Sequence, residues 1–435
     1  MVADVNHFLY SLLWYIAAPF IALRLLWRAR KQPGYLALPG ERLGFYKHDV
    51  DTAILWVHAV SVGETRAAQP LVRALLTHYP EHRILLTQMT PTGRETARAL
   101  YRDDGRVQLA WLPYDTPGCT ERFFAHFRPE LGVLMETEVW PNLLLEARKR
   151  GVPMLLANAR LSERSARGYA RAGRLAQAAF GALAAVGAQT HEDADRLAGL
   201  GAPKPAITGN IKFEISAPSA QLALAAEFRD WIGERPVVLL ASSREGEEEG
   251  FLDAWKKQAS TDALLVIVPR HPQRFDAVAE LVRQRGLSLA RRTDNGAVAS
   301  DARVWLGDSM GEMFAYFAAA DVAIIGGSWA PLGGQNLIEA AAVGVPTLIG
   351  PHTFNFAQAS EHAIAAGAAL RCRDASDAVS TALDLVEDAS RRTSMGRAAR
   401  DFAEAHRGAL GKTLELIDRL MDGEDPSDQA GSARE

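Results

Sequence analysis

With 435 residues, 48% of them hydrophobic and 23% charged, the chain has the balance of a folded globular protein, which excludes extensive disorder. A prior of about 150 residues per domain suggests two or three domains, and the alternation described below fits two. The net charge of −4 excludes an overall basic field for nucleic acid, two distant cysteines (Cys119 and Cys372) exclude a cysteine zinc site, and eleven histidines without HExxH or HxH spacing argue against a dedicated metal site.

Residues 8–23, FLYSLLWYIAAPFIAL, are uncharged and aromatic-rich, and Leu25, Leu26 and Trp27 extend the run past Arg24. A spanning helix needs roughly 20 apolar residues, so this segment fits either a span with Arg24 snorkelling or a helix lying in the interface. Arg24, Arg28, Arg30 and Lys31 follow the run, which places the body on the cytoplasmic side. A cleaved signal peptide would carry its positive charge before the apolar stretch, so residues 1–31 are expected to be an anchor with a basic flank.

From Ala53 the sequence alternates strand and helix: AILWVHAV, RILLTQM, VQLAWL, LGVLME, PMLLANA and AVGAQ are short apolar runs separated by helical patterns. The expected fold is α/β, a Rossmann-like parallel sheet over 32–215. After Gly209-Asn210 a polar, proline-containing stretch suggests a hinge near 211–235. A second alternating series over 216–421 contains VVLLAS, LLVIVPR, VWLGD, DVAIIGG and VPTLIG, so a second Rossmann-like domain is expected. Residues 422–435 are polar and small, as a disordered tail would be.

Polar clusters follow the strands. In the first half these are Ser61–Thr65 with Glu64 at a helix start, Thr90–Gly93, Glu136-Thr137-Glu138 before Trp140, and Asn158–Ser162. The helix dipole favours an ionised Glu64 and so suits a general base; a helix-terminal carboxylate without chemistry has the same local signature. Glu136 and Glu138 also suggest a carboxylate pair, although spacing along one turn does not place them across a substrate. Arg160, Arg164, Arg167, Arg171 and Arg174 recur at three or four residues, as a solvated helix face or a grip on lipid phosphates would.

In the second half, Ser242–Gly246 follows one strand and Pro269-Arg270 another, with Arg270 well placed as a planar donor to phosphate, and Asp308–Glu312 is expected to begin a helix whose free amides could hold a base or ribose. Residues 321–351 read as a βαβ unit: an apolar strand, then Gly326-Gly327-Ser328, then Gly333-Gly334 opening a helix that carries Asn336 and Glu339. Backbone amides at such a turn bind phosphate, and Glu339 can accept from ribose hydroxyls, which points to a nucleotide.

The motifs SVGET, TPTG, ETEVWPN, NARLSERS, TGNIKFE, PRHPQRF, GDSMGE and GGSWAPLGGQNLIEAA, in this order, closely resemble the bacterial 3-deoxy-D-manno-octulosonic acid (Kdo) transferases of lipid A biosynthesis. The resemblance runs from the amino-terminal segment through GPHTFNF at 350–356. It implies a GT-B glycosyltransferase with two Rossmann-like domains facing a central cleft, at the cytoplasmic face of the cell inner membrane. It further implies transfer of Kdo from CMP-Kdo to a lipid A precursor (lipid IVA) in lipopolysaccharide core biosynthesis.

By that resemblance Glu64 is the catalytic base, and CMP is held by Pro269, Arg270, Met310, Gly311, Glu312, Asn336, Leu337, Ile338 and Glu339. The family's GGH(N)P(L)E pattern reads Gly333-Gly334-Gln335-Asn336-Leu337-Ile338-Glu339, with Gln for His and Leu for Pro and with Gly, Asn and Glu kept. Because phosphate is already a good leaving group, neither cofactor, metal nor general acid is demanded. Two alternatives are another GT-B enzyme using a UDP-sugar and a membrane-tethered nucleotide-binding module without catalysis.

Overall fold

A computed structural model describes residues 2–47, 50, 52–214, 217–258, 261–405 and 407–424. The chain forms two compact units, Met1–Glu214 with Arg407–Glu435, and Ile215–His406.

The first unit is built on a seven-stranded sheet of β1 (Ile54–His58), β2 (Arg83–Gln88), β3 (Val107–Trp111), β4 (Leu131–Met135), β5 (Met154–Ala159), β6 (Ala185–Ala188) and β7 (Ala206–Ile207), in the order 3-2-1-4-5-6-7. The pairing is parallel throughout, with Leu55 opposite Leu131 and Ile84. Parallel strands joined by helical crossovers are covered on both faces, which is why β1 and β4 read as unbroken apolar runs. Side chains alternate between two cores. Trp56 joins Phe123, Phe124, Phe127 and Phe180 on one face, while Leu55 and Val57 join Leu71, Leu75 and Leu86 on the other.

The helix Ala409–Met421 packs on this first sheet, with Leu416, Ile417 and Leu420 in the second of those cores and the Tyr79 hydroxyl donating to Asp418 at 2.5 Å. The expectation that the second domain runs to 421 is corrected here: the chain returns to the first unit at Arg407. The apolar spacing of this helix marks a buried face but not which domain buries it. Of the expected tail, 425–435 lie outside the described residues.

The second unit has β8 (Val237–Ser243), β9 (Leu264–Pro269), β10 (Leu289–Arg291), β11 (Val304–Leu306), β12 (Val322–Ile325), β13 (Thr347–Ile349) and β14 (Ala369–Arg371), parallel in the order 10-11-9-8-12-13-14. Its core gathers Leu240, Phe251, Trp255, Ile267, Leu306, Ile324 and Leu348. The supposed hinge at 211–235 contains a 14-residue helix, Ser219–Ile232, with Ala225, Phe228 and Ile232 buried along one face. Phe228 packs edge-on to Trp305, their centroids 5.0 Å apart.

Residues 2–29 form one helix that continues through Arg24 with Pro19 inside it. His7, Tyr10, Ser11 and Trp14, spaced as one helical face, turn toward the first domain: His7 and Ser11 meet the Asn142 side chain at 2.6 and 3.1 Å, Tyr10 donates to Asp115 at 2.8 Å, and Trp14 lies 6.3 Å from Trp140. Phe8, Leu13, Ile16, Phe20, Leu23 and Trp27 stay more than half exposed on the other side.

Candidate active site

In both sheets the first strand of the domain has its successive neighbours on opposite sides, so the strand order reverses between β1 and β4 and between β8 and β12. Ligands of open α/β sheets gather at the carboxyl ends of strands at such a switch point. Of the residues singled out in the sequence, Glu64, Glu136 and Glu138 lie at the first of these places and Asn336–Glu339 follow β12 at the second, while Pro269-Arg270 and Met310–Glu312 follow the nearby strands β9 and β11.

At the first, β1 runs into Ser61, which caps the helix Val62–Ala67 by accepting from Glu64 N. Ser-x-x-Glu is a capping-box pattern, and the Glu64 carboxylate accepts from Val60 N at 2.7 Å and from Ser61 Oγ at 3.0 Å. These bonds fix the side chain while leaving lone pairs free, and the exposed Gly63 beside it leaves an approach open. The helix start alone predicts a readily ionised group. Instead, burial raises the Glu64 pKa above the ordinary carboxylate value, with the negative charge of Glu136 adding to it, and this outweighs the Val60 and Ser61 bonds and Lys212. Such a carboxylate is a stronger base than one in water. His58, at the end of β1, is wholly buried against Thr87, and burial lowers its pKa to about 4, so it stays neutral inside the fold.

The end of β4 supplies Glu136 and Glu138. Glu136 takes a left-handed backbone conformation (φ +60) and is held by Lys212 Nζ at 3.0 Å and Arg160 Nε at 3.1 Å. Asn158, itself at φ +53 at the end of β5, accepts from Ile211 N at 3.0 Å and so docks the segment that delivers Lys212. Both Glu136 oxygens are thus engaged by cations. Glu138 accepts from Trp140 Nε1 at 3.0 Å, and its pKa is pushed up to about 7 by burial and then by the charge of Glu64. The native fold therefore favours protonated Glu138, a contribution to stability that is complete below the ordinary carboxylate pKa and lost as pH rises through 7. Glu138→Gln, permanently neutral, is expected to match the wild-type melting temperature at pH 4 and to exceed it at pH 8, by up to about 3 kcal/mol in stability. Calorimetric melts across that range check it.

The expected arginine stripe is divided. Arg164 and Arg167 lie on the helix Glu163–Ala170, Arg171 caps it, and Arg174 opens the helix Arg174–Phe180 after a turn at Gly173. All five arginines, Arg160 included, are exposed.

In the second unit, Pro269 ends β9 buried, and Arg270 follows with an exposed side chain and its N–H on the Ser243 carbonyl at 3.0 Å. Beyond β11, Met310 is 57% exposed, Gly311 sits at φ +81, and Glu312 is held by Arg292 through two bonds of 3.0 Å. The helix expected to begin at Asp308 begins at Met313, and its Ala315 amide is taken by Gln221. Beyond β12, Gly327, Gly333 and Gly334 all have positive φ, as their sequence suggests. Asn336 does not lie on the helix, which spans Ile338–Ala342. Its oxygen instead accepts from Ile338 N at 3.1 Å while its amide donates to Glu339 at 3.2 Å. Leu337 and Ile338 are 1% exposed, so their side chains belong to the core and only their backbone can meet a ligand.

Glu247 was not legible as a functional candidate, because Gly246-Glu247-Glu248-Glu249 reads as the solvated start of a helix. Its buried carboxylate accepts from Gly327 N at 2.7 Å and Trp329 N at 3.1 Å. It also accepts from Arg244 N at 2.9 Å. The Gly327 amide, in the turn expected to let a ligand approach, and the Trp329 amide are thus occupied by the protein itself, and this carboxylate sets the course of the glycine-rich loop. Lys212 was likewise missed, since TGNIKFE carries no spacing that points it at Glu136.

Two parallel-sheet α/β domains with their polar groups at the strand ends define the class: this is the GT-B fold. A UDP-GlcNAc 2-epimerase from Neisseria meningitidis shares it, with a TM-score of 0.55 and 15% identity over 84% of this chain and 100% of that one. The particular family is given by sequence. The family profile described as 3-Deoxy-D-manno-octulosonic-acid transferase (kdotransferase) matches residues 39–215. A 3-deoxy-D-manno-octulosonic acid transferase of Bordetella pertussis is 47% identical over 92% of this chain and 96% of its own. One from Haemophilus influenzae is 35% identical over 94% and 97%. The chain belongs to the 3-deoxy-D-manno-octulosonic acid transferase family, and its activity is that of a glycosyltransferase.

Proposed function

We propose that the protein transfers Kdo from CMP-Kdo to a lipid A precursor at the cytoplasmic face of the inner membrane, with Glu64 as the base. Family membership supports the Kdo transfer. The observation that carries the assignment of the base is the half-buried Glu64 carboxylate at the β1/β4 switch point, its pKa raised and, among the described residues, no cation paired with it. A sugar hydroxyl of the acceptor attacks the anomeric carbon of Kdo and gives its proton to Glu64. The bond from that carbon to the phosphate oxygen breaks, and CMP leaves with the electron pair. The transition state has oxocarbenium character, and attack opposite the leaving group inverts the configuration. Arg270 stabilises the departing phosphate, and Asn336 and Glu339 hold the nucleotide. Titration calorimetry tests the donor: CMP is expected to bind more tightly than UDP, and a preference for UDP contradicts the reading.

Glu247 enters this function as a positioning residue. Glu247→Ala leaves the Gly327, Trp329 and Arg244 amides without their acceptor, and each that stays out of water costs about 1–3 kcal/mol. The melting temperature is expected to fall and CMP affinity to drop by about tenfold, the equivalent of 1.4 kcal/mol. Glu247→Gln, which still offers one carbonyl oxygen, is expected to recover part of the affinity in the same titration.

The amino-terminal helix is the proposed membrane contact. Its segment Asn6–Ala29 is long and apolar enough to cross a bilayer. Replacing Leu13, Phe20 and Leu23, all exposed, with Ser is expected to shift the protein from vesicles to the supernatant on flotation with an unchanged melting temperature. Replacing the docked Tyr10 and Trp14 with Ser is expected to lower the melting temperature.

A further inference from the structure

Within the first domain, a cavity of about 430 Å³ lies between the amino-terminal helix and the helices Glu163–Ala170 and Arg174–Phe180. Tyr10 forms one wall, Trp140 and Tyr169 with Phe180 form others, and Leu175, Ala176 and Ala179 line it with small or apolar groups. Tyr169 and Phe180 meet edge to face at 5.2 Å, a rigid wall. The space is open on one side, its lining is mainly apolar, and its size is within the range of about 300–1,000 Å³ usual for ligand sites. It is kept open by sequence: Gly173 at φ +52 breaks the helix, and Ala172, Ala176 and Ala179 present little more than methyl groups.

Two neighbours restrict what can fill it. Tyr10 belongs to the helix whose other face is exposed and apolar, so the cavity is continuous with the membrane-seeking element. Thr137 and Glu138 line it as well, and Glu138 interacts with Glu64. Arg164 and Arg174 on this pair of helices, and Arg171 capping the first, are exposed and, among the described residues, without an ion pair. An apolar slot, exposed arginines on and beside the helices that wall it, and a carboxylate end match an amphiphile with an acyl chain, an anionic headgroup and a reacting hydroxyl.

We propose that this cavity takes one acyl chain of the acceptor lipid, its phosphates meeting Arg164, Arg171 and Arg174 and its sugar hydroxyl directed toward Glu64. The proposal rests on the transferase reading above and adds a place for the lipid part of the substrate. An acyl chain in the slot would dehydrate the wall that carries Glu138 and hold the headgroup in register with the carboxylates.

The test uses the full chain in phosphatidylcholine nanodiscs and a tetraacyl lipid A precursor with a diazirine at one chain end. Photolabel is expected in peptides covering 137–141 and 169–180. Ala172→Trp, which fills the slot from an exposed position, is expected to reduce this label and to raise the acceptor KM by at least about tenfold, the loss of a few buried methylenes. Phosphatidylcholine with the same diazirine is expected to label the exposed face of the amino-terminal helix instead. A second measurement needs no variant: in the wild type, acceptor KM is expected to fall as the acyl chains are lengthened and then to level off. Acceptor label confined to the exposed helix face, or cavity label from phosphatidylcholine that the acceptor does not displace, overturns the acyl site. The label is read without donor. Transfer with an unlabelled cavity therefore strikes this proposal alone, and a labelled cavity without Kdo transfer strikes the transferase reading.

Discussion

Glu64→Gln is expected to lose a factor of about 100 to 10,000 in turnover while CMP affinity and melting temperature stay near wild type, because general-base catalysis contributes on that scale. The substitution keeps the size of the side chain and one acceptor oxygen for Val60 N or Ser61 Oγ, but it cannot take a proton. pH supplies an independent reading. The base must be ionised to act, and burial raises its pKa, so kcat/KM of the wild type is expected to fall with acidification at a pH above the ordinary carboxylate value of about 4.3. Glu136 and Glu138 are the rivals. Glu136 is bound to Lys212 and Arg160, and Glu136→Gln is expected to disturb the loop more than the chemistry. Glu138 has a pKa of about 7, which by itself would suit a base, but it lines an apolar cavity and accepts from Trp140. If Glu138→Gln abolishes turnover in a folded protein while Glu64→Gln retains it, the base is at the end of β4.

The second large effect is expected at the nucleotide. Arg270 extends from the end of β9 with an exposed guanidinium, and a charge-assisted contact to phosphate is worth about 1.5–3 kcal/mol. Arg270→Ala is expected to weaken CMP binding by an order of magnitude or more in titration calorimetry, with no change in the melting temperature. Glu339, half-buried and bonded to the Asn336 amide, is expected to act in the same direction: Glu339→Ala removes both the ribose acceptor and the partner that orients Asn336. Unchanged CMP affinity in both variants would move the nucleotide away from the β9 and β12 ends.

Much of this was legible in residues. The apolar runs of β1, β4, β8 and β12 are central strands covered on both faces, and such strands announce themselves by composition. β7, β10 and β14 were not readable, since each has two or three residues and β7 and β10 are only half-buried at the sheet edges. The helix Ser219–Ile232 was passed over as a hinge because its surroundings are polar and proline-containing, although Ala225, Phe228 and Ile232 keep a helical spacing. The positions of Glu64 and the glycine-rich loop at strand ends could be read directly. Their electrostatics could not. Whether Glu64 follows the helix dipole or the desolvation depends on Glu136 and on packing that no local pattern contains, and the Gly327 and Trp329 amides are claimed by a glutamate some 80 residues earlier in the chain. The return of the last helix to the first domain is another long-range choice, made by Leu416, Ile417 and Leu420 finding the core around Leu71 and Leu75.

The most direct test of Kdo transfer is mass spectrometry of the lipid after incubating the purified protein in detergent with CMP-Kdo and tetraacyl lipid A precursor. The predicted result is lipid heavier by one or more Kdo residues, with one CMP released for each. Unmodified lipid from a folded protein that binds CMP, or sugar transfer from a UDP-sugar in place of CMP-Kdo, would contradict it.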